Sequence, residues 1–73
     1  MPYVNIKITQ EGGPDNSGAT PQQKAELIQG VTQVLETVLN KDPKTTFVVV
    51  DEVPLENWGI GGLPVTEYRR SLK

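Results

Sequence analysis

Few residue types in this chain of 73 residues can carry acid-base chemistry. Histidine and cysteine are absent, which removes Ser-His and Cys-His nucleophile systems, thiolate-bound zinc and the commonest general base. Carboxylates, lysines, tyrosines and the chain terminus remain. The chain opens Met1-Pro2-Tyr3-Val4, and removal of Met1 would leave Pro2 with a free secondary amine. An unperturbed α-amino group titrates at about 7.7 to 8.0, and partial desolvation or a nearby cation moves it lower, into the range that suits a general base. Every other proline has its nitrogen tied up in an amide, so Pro2 alone can take that part.

The element that must hold Pro2 begins immediately after it. From Tyr3 to Thr9, Val4, Ile6 and Ile8 alternate with Tyr3, Asn5, Lys7 and Thr9, the period-two pattern of a strand. A strand starting so near the terminus fixes a residue that would otherwise fray. Gln10 to Ala19 is rich in Gly, Pro, Asp, Asn and Ser and reads as a loop. Thr20-Pro21-Gln22-Gln23 then carries a helix start: a capping threonine, proline at the first position and glutamine where a capping box needs it. Leu27, Ile28, Val31, Val34, Leu35, Val38 and Leu39 fall on one helical stripe, which predicts a helix to about Asn40. Gly30 interrupts that helix at a cost of about 1 kcal/mol relative to alanine, so a tight helix-sheet or subunit contact is expected there.

After Lys41-Asp42-Pro43-Lys44, the segment Thr45 to Val53 is β-branched and holds the apolar run Phe47-Val48-Val49-Val50. Such a run predicts a strand covered on both faces. Strand, helix, strand gives a right-handed β-α-β unit with parallel strands, and its helix can cover only one face of the sheet. The other face is expected to meet a second subunit. Further on, Trp58 precedes Gly59-Ile60-Gly61-Gly62, a glycine density suited to a tight hairpin. It lacks the Lys-Ser/Thr and following helix of a phosphate-binding loop. The fold class is therefore α/β: one β-α-β unit plus a C-terminal β-hairpin, a single domain over residues 1–73, assembled into an oligomer because so short a chain has no disulfide or metal staple.

Seven basic and nine acidic residues are scattered along the chain for a net charge of −2, which gives no footprint for nucleic acid or an anionic membrane. The N-terminal residues do not form a signal peptide, and no run spans a membrane, so a cytoplasmic location is expected. No cofactor and no metal is expected either.

The Pro2 start, the β-α-β body, Gln23-Lys24 followed by Leu27-Ile28, and Asn57-Trp58-Gly59-Ile60-Gly61-Gly62 together resemble the small tautomerases of the 4-oxalocrotonate tautomerase family. The likeness covers most of the chain. It implies a homohexamer, a trimer of dimers, in which each hairpin packs on an adjacent subunit. It also implies that processed Pro2 moves a proton on a small 2-oxo acid, interconverting enol and ketone. Trp58 falls where the family places an aromatic pocket residue, and Thr9 where backbone lies beside the substrate. Phe47 occupies the position of an arginine that polarises the 2-oxo group in members acting on dicarboxylates. A second such arginine, just after the first strand, is replaced by the long Gln10–Ala19 loop. Pro2 is thus the expected catalytic residue, with Trp58, Phe47 and Thr9 as the substrate-binding set.

An oxyanion without a cation or preorganised donor forfeits several kcal/mol of transition-state stabilisation. Lys7, Lys44, Arg69 and Arg70 are the candidate substitutes, whereas Glu11, Asp51 and Glu52 read as surface carboxylates. Two further readings stay open on the same scaffold: a hydratase or dehalogenase using protonated Pro2, and a non-catalytic oligomeric binding protein.

Overall fold

The structure is a computed structural model and describes residues 1–72. Strand β1 (Tyr3–Thr9) leads through the glycine-rich loop to helix α1 (Pro21–Leu39), then strand β2 (Phe47–Val53). A hairpin of β3 (Gly59–Ile60) and β4 (Leu63–Pro64) and a short helix α2 (Val65–Ser71) complete it. Strands β1 and β2 pair in parallel, with Tyr3 opposite Phe47 and Thr9 opposite Val53.

The start of α1 follows the local chemistry of its first residues. The Gln23 N–H donates to Thr20 Oγ1 at 3.1 Å and the Thr20 N–H donates back to Gln23 Oε1 at 2.9 Å, a complete capping box. At the other end Asn40 adopts a left-handed conformation and its N–H bonds the Glu36 carbonyl, stopping the helix at Leu39. Strand β2 begins two residues later than the expected Thr45. The reason is Asp42, whose carboxylate accepts the Lys44 N–H at 3.0 Å and winds Pro43–Thr45 into a 3-10 turn.

Glu52 makes an ion pair with Lys24 of α1, so its side of the sheet is the side that α1 covers. By alternation Val4, Ile6, Ile8, Val48 and Val50 share that face and are half-buried, while Tyr3, Phe47 and Val49 lie on the opposite, uncovered face. Phe47 is 53% exposed. Among the described residues α1 is the one layer laid against β2, so its second face stays open within one chain, as expected of a helix that can cover only one face of the sheet.

Helix α1 is also left largely uncovered. Val31 and Leu35 are half-buried, but Leu27, Ile28, Val34, Val38 and Leu39 are exposed, Val38 at 71%. A Cβ built at Gly30 would meet nothing within 4 Å, so no tight helix-sheet contact explains that glycine. Its apolar stripe is wider than a two-stranded sheet can cover. Among the described residues, Val65 at 7% exposure is the only buried hydrophobic side chain.

The shape agrees. The radius of gyration is 15.5 Å, against about 11 Å for a compact chain of this length. Accessible surface is 5462 Å², against about 4,500 Å² for a compact monomer of this mass. The chain is an extended sub-assembly with much of its apolar surface uncovered.

In the hairpin, Gly61 and Gly62 have φ of 62° and 82°, the paired positive values that a two-residue turn of this hand requires. A Cβ at Gly61 would lie 3.0 Å from the ring of Tyr68, so α2 packs directly against the turn. Helix α2 is an addition to the fold expected from the sequence, which has only a hairpin in this tail. No helix among the described residues is long and apolar enough to cross a membrane.

Candidate active site

The functional candidates gather at two ends of one sheet. At the first end Pro2 is half-buried, and its carbonyl accepts the Phe47 N–H at 3.0 Å. That bond extends the β1–β2 ladder by one step and holds the backbone at Pro2 beside the start of β2. Tyr3 stands opposite Phe47 in register, so the head of β1 is flanked by two exposed aromatic residues. Met1 precedes Pro2 and is 85% exposed.

At the second end β1 terminates in Thr9, and a tight turn brings the Glu11 N–H to the Thr9 carbonyl at 2.9 Å. Thr9 Oγ1 donates to the Glu11 carboxylate, and Arg69 of α2 adds two parallel bonds to the same group, at 2.9 and 3.0 Å. The Arg69 guanidinium, followed by the Thr9 hydroxyl, holds the Glu11 carboxyl down to about 2, so it is a carboxylate throughout the neutral range. Arg69 is pushed up by the same partner.

Trp58 is reached from this second end. It follows a 3-10 turn at Leu55–Asn57, where its N–H bonds the Leu55 carbonyl at 3.1 Å. Its own carbonyl accepts the Val65 N–H at 2.8 Å, closing the base of the hairpin at the first residue of α2. Trp58 and Arg69 therefore belong to one small unit of hairpin and helix.

The distance between the ends decides what one chain can do. Seven residue steps along β1 separate Pro2 from Thr9, about 23 Å at roughly 3.3 Å per residue. Of the expected set, only Phe47 is next to Pro2; Thr9 and Trp58 lie towards the far end. The principal clefts of the chain run along α1, one of about 270 Å³ being lined by Gly30, Gln33, Val34, Thr37 and Val38, and they enclose none of these residues.

The carboxylates read as surface groups are all tied down. Asp51 pairs with Lys7 on the uncovered sheet face, and Glu52 pairs with Lys24 while accepting the Ala19 N–H at 3.0 Å. Lys24 and that backbone bond hold the Glu52 carboxyl below its ordinary value, and the bond to Asp51 raises Lys7. Glu52 also explains Gly18, the buried residue of the loop: a Cβ there would overlap its carboxylate. Of the candidate cations, Lys7 is thus engaged on the open face, Lys44 lies exposed in the 3-10 turn, and Arg69 alone is held as a fork. The pairing of Glu11 with Arg69 was missed from sequence. Its only sequence signal is an unpaired carboxylate after β1 and two arginines at the tail, 58 residues apart.

Comparison with known proteins agrees with this architecture. A family model described as "Tautomerase enzyme" matches residues 2–68, so the match begins at Pro2 itself. "Probable tautomerase K2" of Dickeya dadantii is 53% identical over 70 residues, covering 96% of either chain. A 2-hydroxymuconate tautomerase of Pseudomonas putida is 33% identical over 70 residues, 96% of this chain and 100% of that one. The crystal structure of DmpI from Helicobacter pylori superposes with a TM-score of 0.81 at 40% identity, over 94% of this chain and 97% of that chain. With the β-α-β unit and hairpin in place, these matches settle the assignment: the chain belongs to the tautomerase family and is an isomerase of the 4-oxalocrotonate tautomerase type.

Proposed function

We propose that the chain, once Met1 is removed, interconverts the enol and keto forms of a small 2-oxo acid with Pro2 as general base. The observation that carries this reading is the bond from the Phe47 N–H to the Pro2 carbonyl. It ties the residue bearing the amine to the sheet, so the nitrogen is positioned rather than frayed.

The step needs no other base. The amine takes the enol O–H proton, the O–H electron pair becomes the carbonyl π bond, and the former C=C pair takes the proton back from the prolinium at carbon. Aromatic walls disfavour the ammonium form by desolvation, keeping Pro2 unprotonated near neutrality. Tyr3 and Phe47 at the head of β1 are exposed in the single chain, and they become such walls once a neighbouring copy covers them. An apolar residue at position 47 favours a monocarboxylate or aromatic 2-oxo acid over a dicarboxylate.

The same reading requires more than one copy. Pro2 and Trp58 belong to opposite ends of the sheet, so a pocket holding both takes Pro2 from one chain and Trp58 from a neighbour. A homohexamer arranged as a trimer of dimers supplies such junctions, and the uncovered faces of α1 and the sheet give it surface to bury.

The test has two parts. Mass spectrometry of the purified protein should find Met1 absent. Ketonisation of phenylenolpyruvate, followed by ultraviolet absorbance, should fall on Pro2→Ala substitution; unchanged turnover, or Met1 retained in full on an active enzyme, ends the proline mechanism.

A further inference from the structure

The reaction proposed above leaves one group without a partner: the substrate's carboxylate. We infer that Arg69 binds it, and that Glu11 is the positioning residue that holds Arg69 ready; the inference rests on the 2-oxo acid reading of the Pro2 site.

The geometry is that of an arginine built to take a second anion. Nη1 and Nη2 each donate one hydrogen bond to a different oxygen of Glu11, so Glu11 occupies the end of the guanidinium. A guanidinium carries five N–H donors, and the edge formed by Nε and one Nη is a second fork matched to a carboxylate. Among the described residues Arg69 makes no other side-chain hydrogen bond. Its side chain is 53% exposed while that of Glu11 is 29% exposed, so the pair is anchored from the protein side and open on the other.

An ordinary surface ion pair is not fastened in this way. Glu11 is fixed by the turn after Thr9 and by the Thr9 hydroxyl, and Arg69 by its place on α2 against the hairpin that carries Trp58. Orienting the guanidinium beforehand removes rotamer freedom that binding would otherwise have to remove. The rival cations lack this combination. Lys7 is engaged with Asp51 and Lys44 lies exposed in the 3-10 turn, each a point charge without a fork, and Arg70 is exposed while its neighbour Arg69 takes the Glu11 carboxylate. Arg69 also travels with the indole, so whichever Pro2 receives Trp58 from a neighbour receives this cation with it.

The resulting specificity is for one carboxylate at that end and an apolar or aromatic group near Phe47. Kinetics with phenylenolpyruvate test it, with inhibition by phenylacetone, the corresponding ketone without the carboxylate, as the contrast. Arg69→Ala should raise KM about ten- to a hundred-fold, the range of a charge-assisted hydrogen bond, and leave the phenylacetone inhibition constant within about two-fold. Glu11→Gln should raise KM several-fold with kcat held, and Lys41→Ala, a charge removed elsewhere, should change neither constant.

An unchanged KM in Arg69→Ala overturns the inference, and so does an equal rise for the ketone. If the alanine variant fails to assemble, Arg69→Lys keeps the charge without the fork. It should show an intermediate KM, and a wild-type KM there counts against the fork. Pro2→Ala separates the two levels: if it abolishes turnover while Arg69→Ala leaves KM untouched, the tautomerase reading stands and the carboxylate assignment falls. If Pro2→Ala is fully active, the underlying reading falls whatever Arg69 does.

Discussion

The two ends of the β1–β2 sheet are built from different chemistry. At the head of β1, the Pro2 carbonyl accepts the Phe47 N–H, and the exposed rings of Tyr3 and Phe47 stand opposite each other in register. At the tail, Thr9, Glu11 and Arg69 form a charge-assisted cluster beside the hairpin that bears Trp58. On the proposed function, one end offers a base, the other an oriented cation and an indole. A proton transfer at a 2-oxo acid needs all of these within contact distance of one small molecule. About 23 Å of strand keeps them apart in a single chain. On the proposed function β1 acts as a spacer, and a complete pocket is made where unlike ends of different copies meet.

That contrast can be broken by substitutions at either end. The largest effect belongs to Pro2→Ala, which should lower kcat for phenylenolpyruvate by about 10²-fold or more, the usual share of a positioned general base. Next comes Trp58→Ala at the opposite end. It should lower kcat/KM by roughly ten-fold through loss of an aromatic wall, with a native circular dichroism spectrum as the control for folding. A change of similar size, in specificity and not in rate, is expected from Phe47→Arg, which places a cation beside Pro2. It should shift the ratio of kcat/KM values by about ten-fold towards 2-hydroxymuconate and away from phenylenolpyruvate, because the apolar end has then acquired a charged contact.

How much of this was visible beforehand depends on sequence separation. The period-two pattern of Tyr3–Thr9 and the Thr20–Gln23 capping box are local, and both elements formed where their residues specify. The paired glycines 61 and 62 likewise specify their turn without help from distant chain. Helix α2 was not legible: Pro64 at its N-cap makes no side-chain capping bond, and its seven residues depend on packing Tyr68 against the hairpin. Arg69 and Glu11 are 58 residues apart and meet only through the whole of the fold between them. Sequence patterns carry periodicity along an element but say little about which loop a tail helix will reach.

The smallest predicted effect concerns acid. Glu11 has its folded pKa depressed to about 2, and Glu52 is also depressed, so both contribute stability that is present above the unfolded carboxylate range near pH 4.5. That contribution is lost as pH falls through 4.5 towards 2. Thermal midpoints should therefore be flat above about pH 5 and decline below it, and Glu11→Gln should make the decline shallower. A steeper decline in that variant would show that the cluster at the tail of β1 does not hold the carboxylate as described.

The most direct test of pocket assembly from unlike ends is subunit complementation. Pro2→Ala chains, nearly inactive, and Trp58→Ala chains, weakened about ten-fold, would be unfolded, mixed in equal amounts and refolded together, and phenylenolpyruvate turnover compared with each variant refolded alone. If each pocket takes Pro2 from one copy and Trp58 from another, random assembly restores wild-type pockets at about a quarter of the junctions, and activity should rise towards that fraction. Mixed oligomers with no more activity than the two separate variants would contradict it, because Pro2 and Trp58 would then have to serve the same pocket from the same chain.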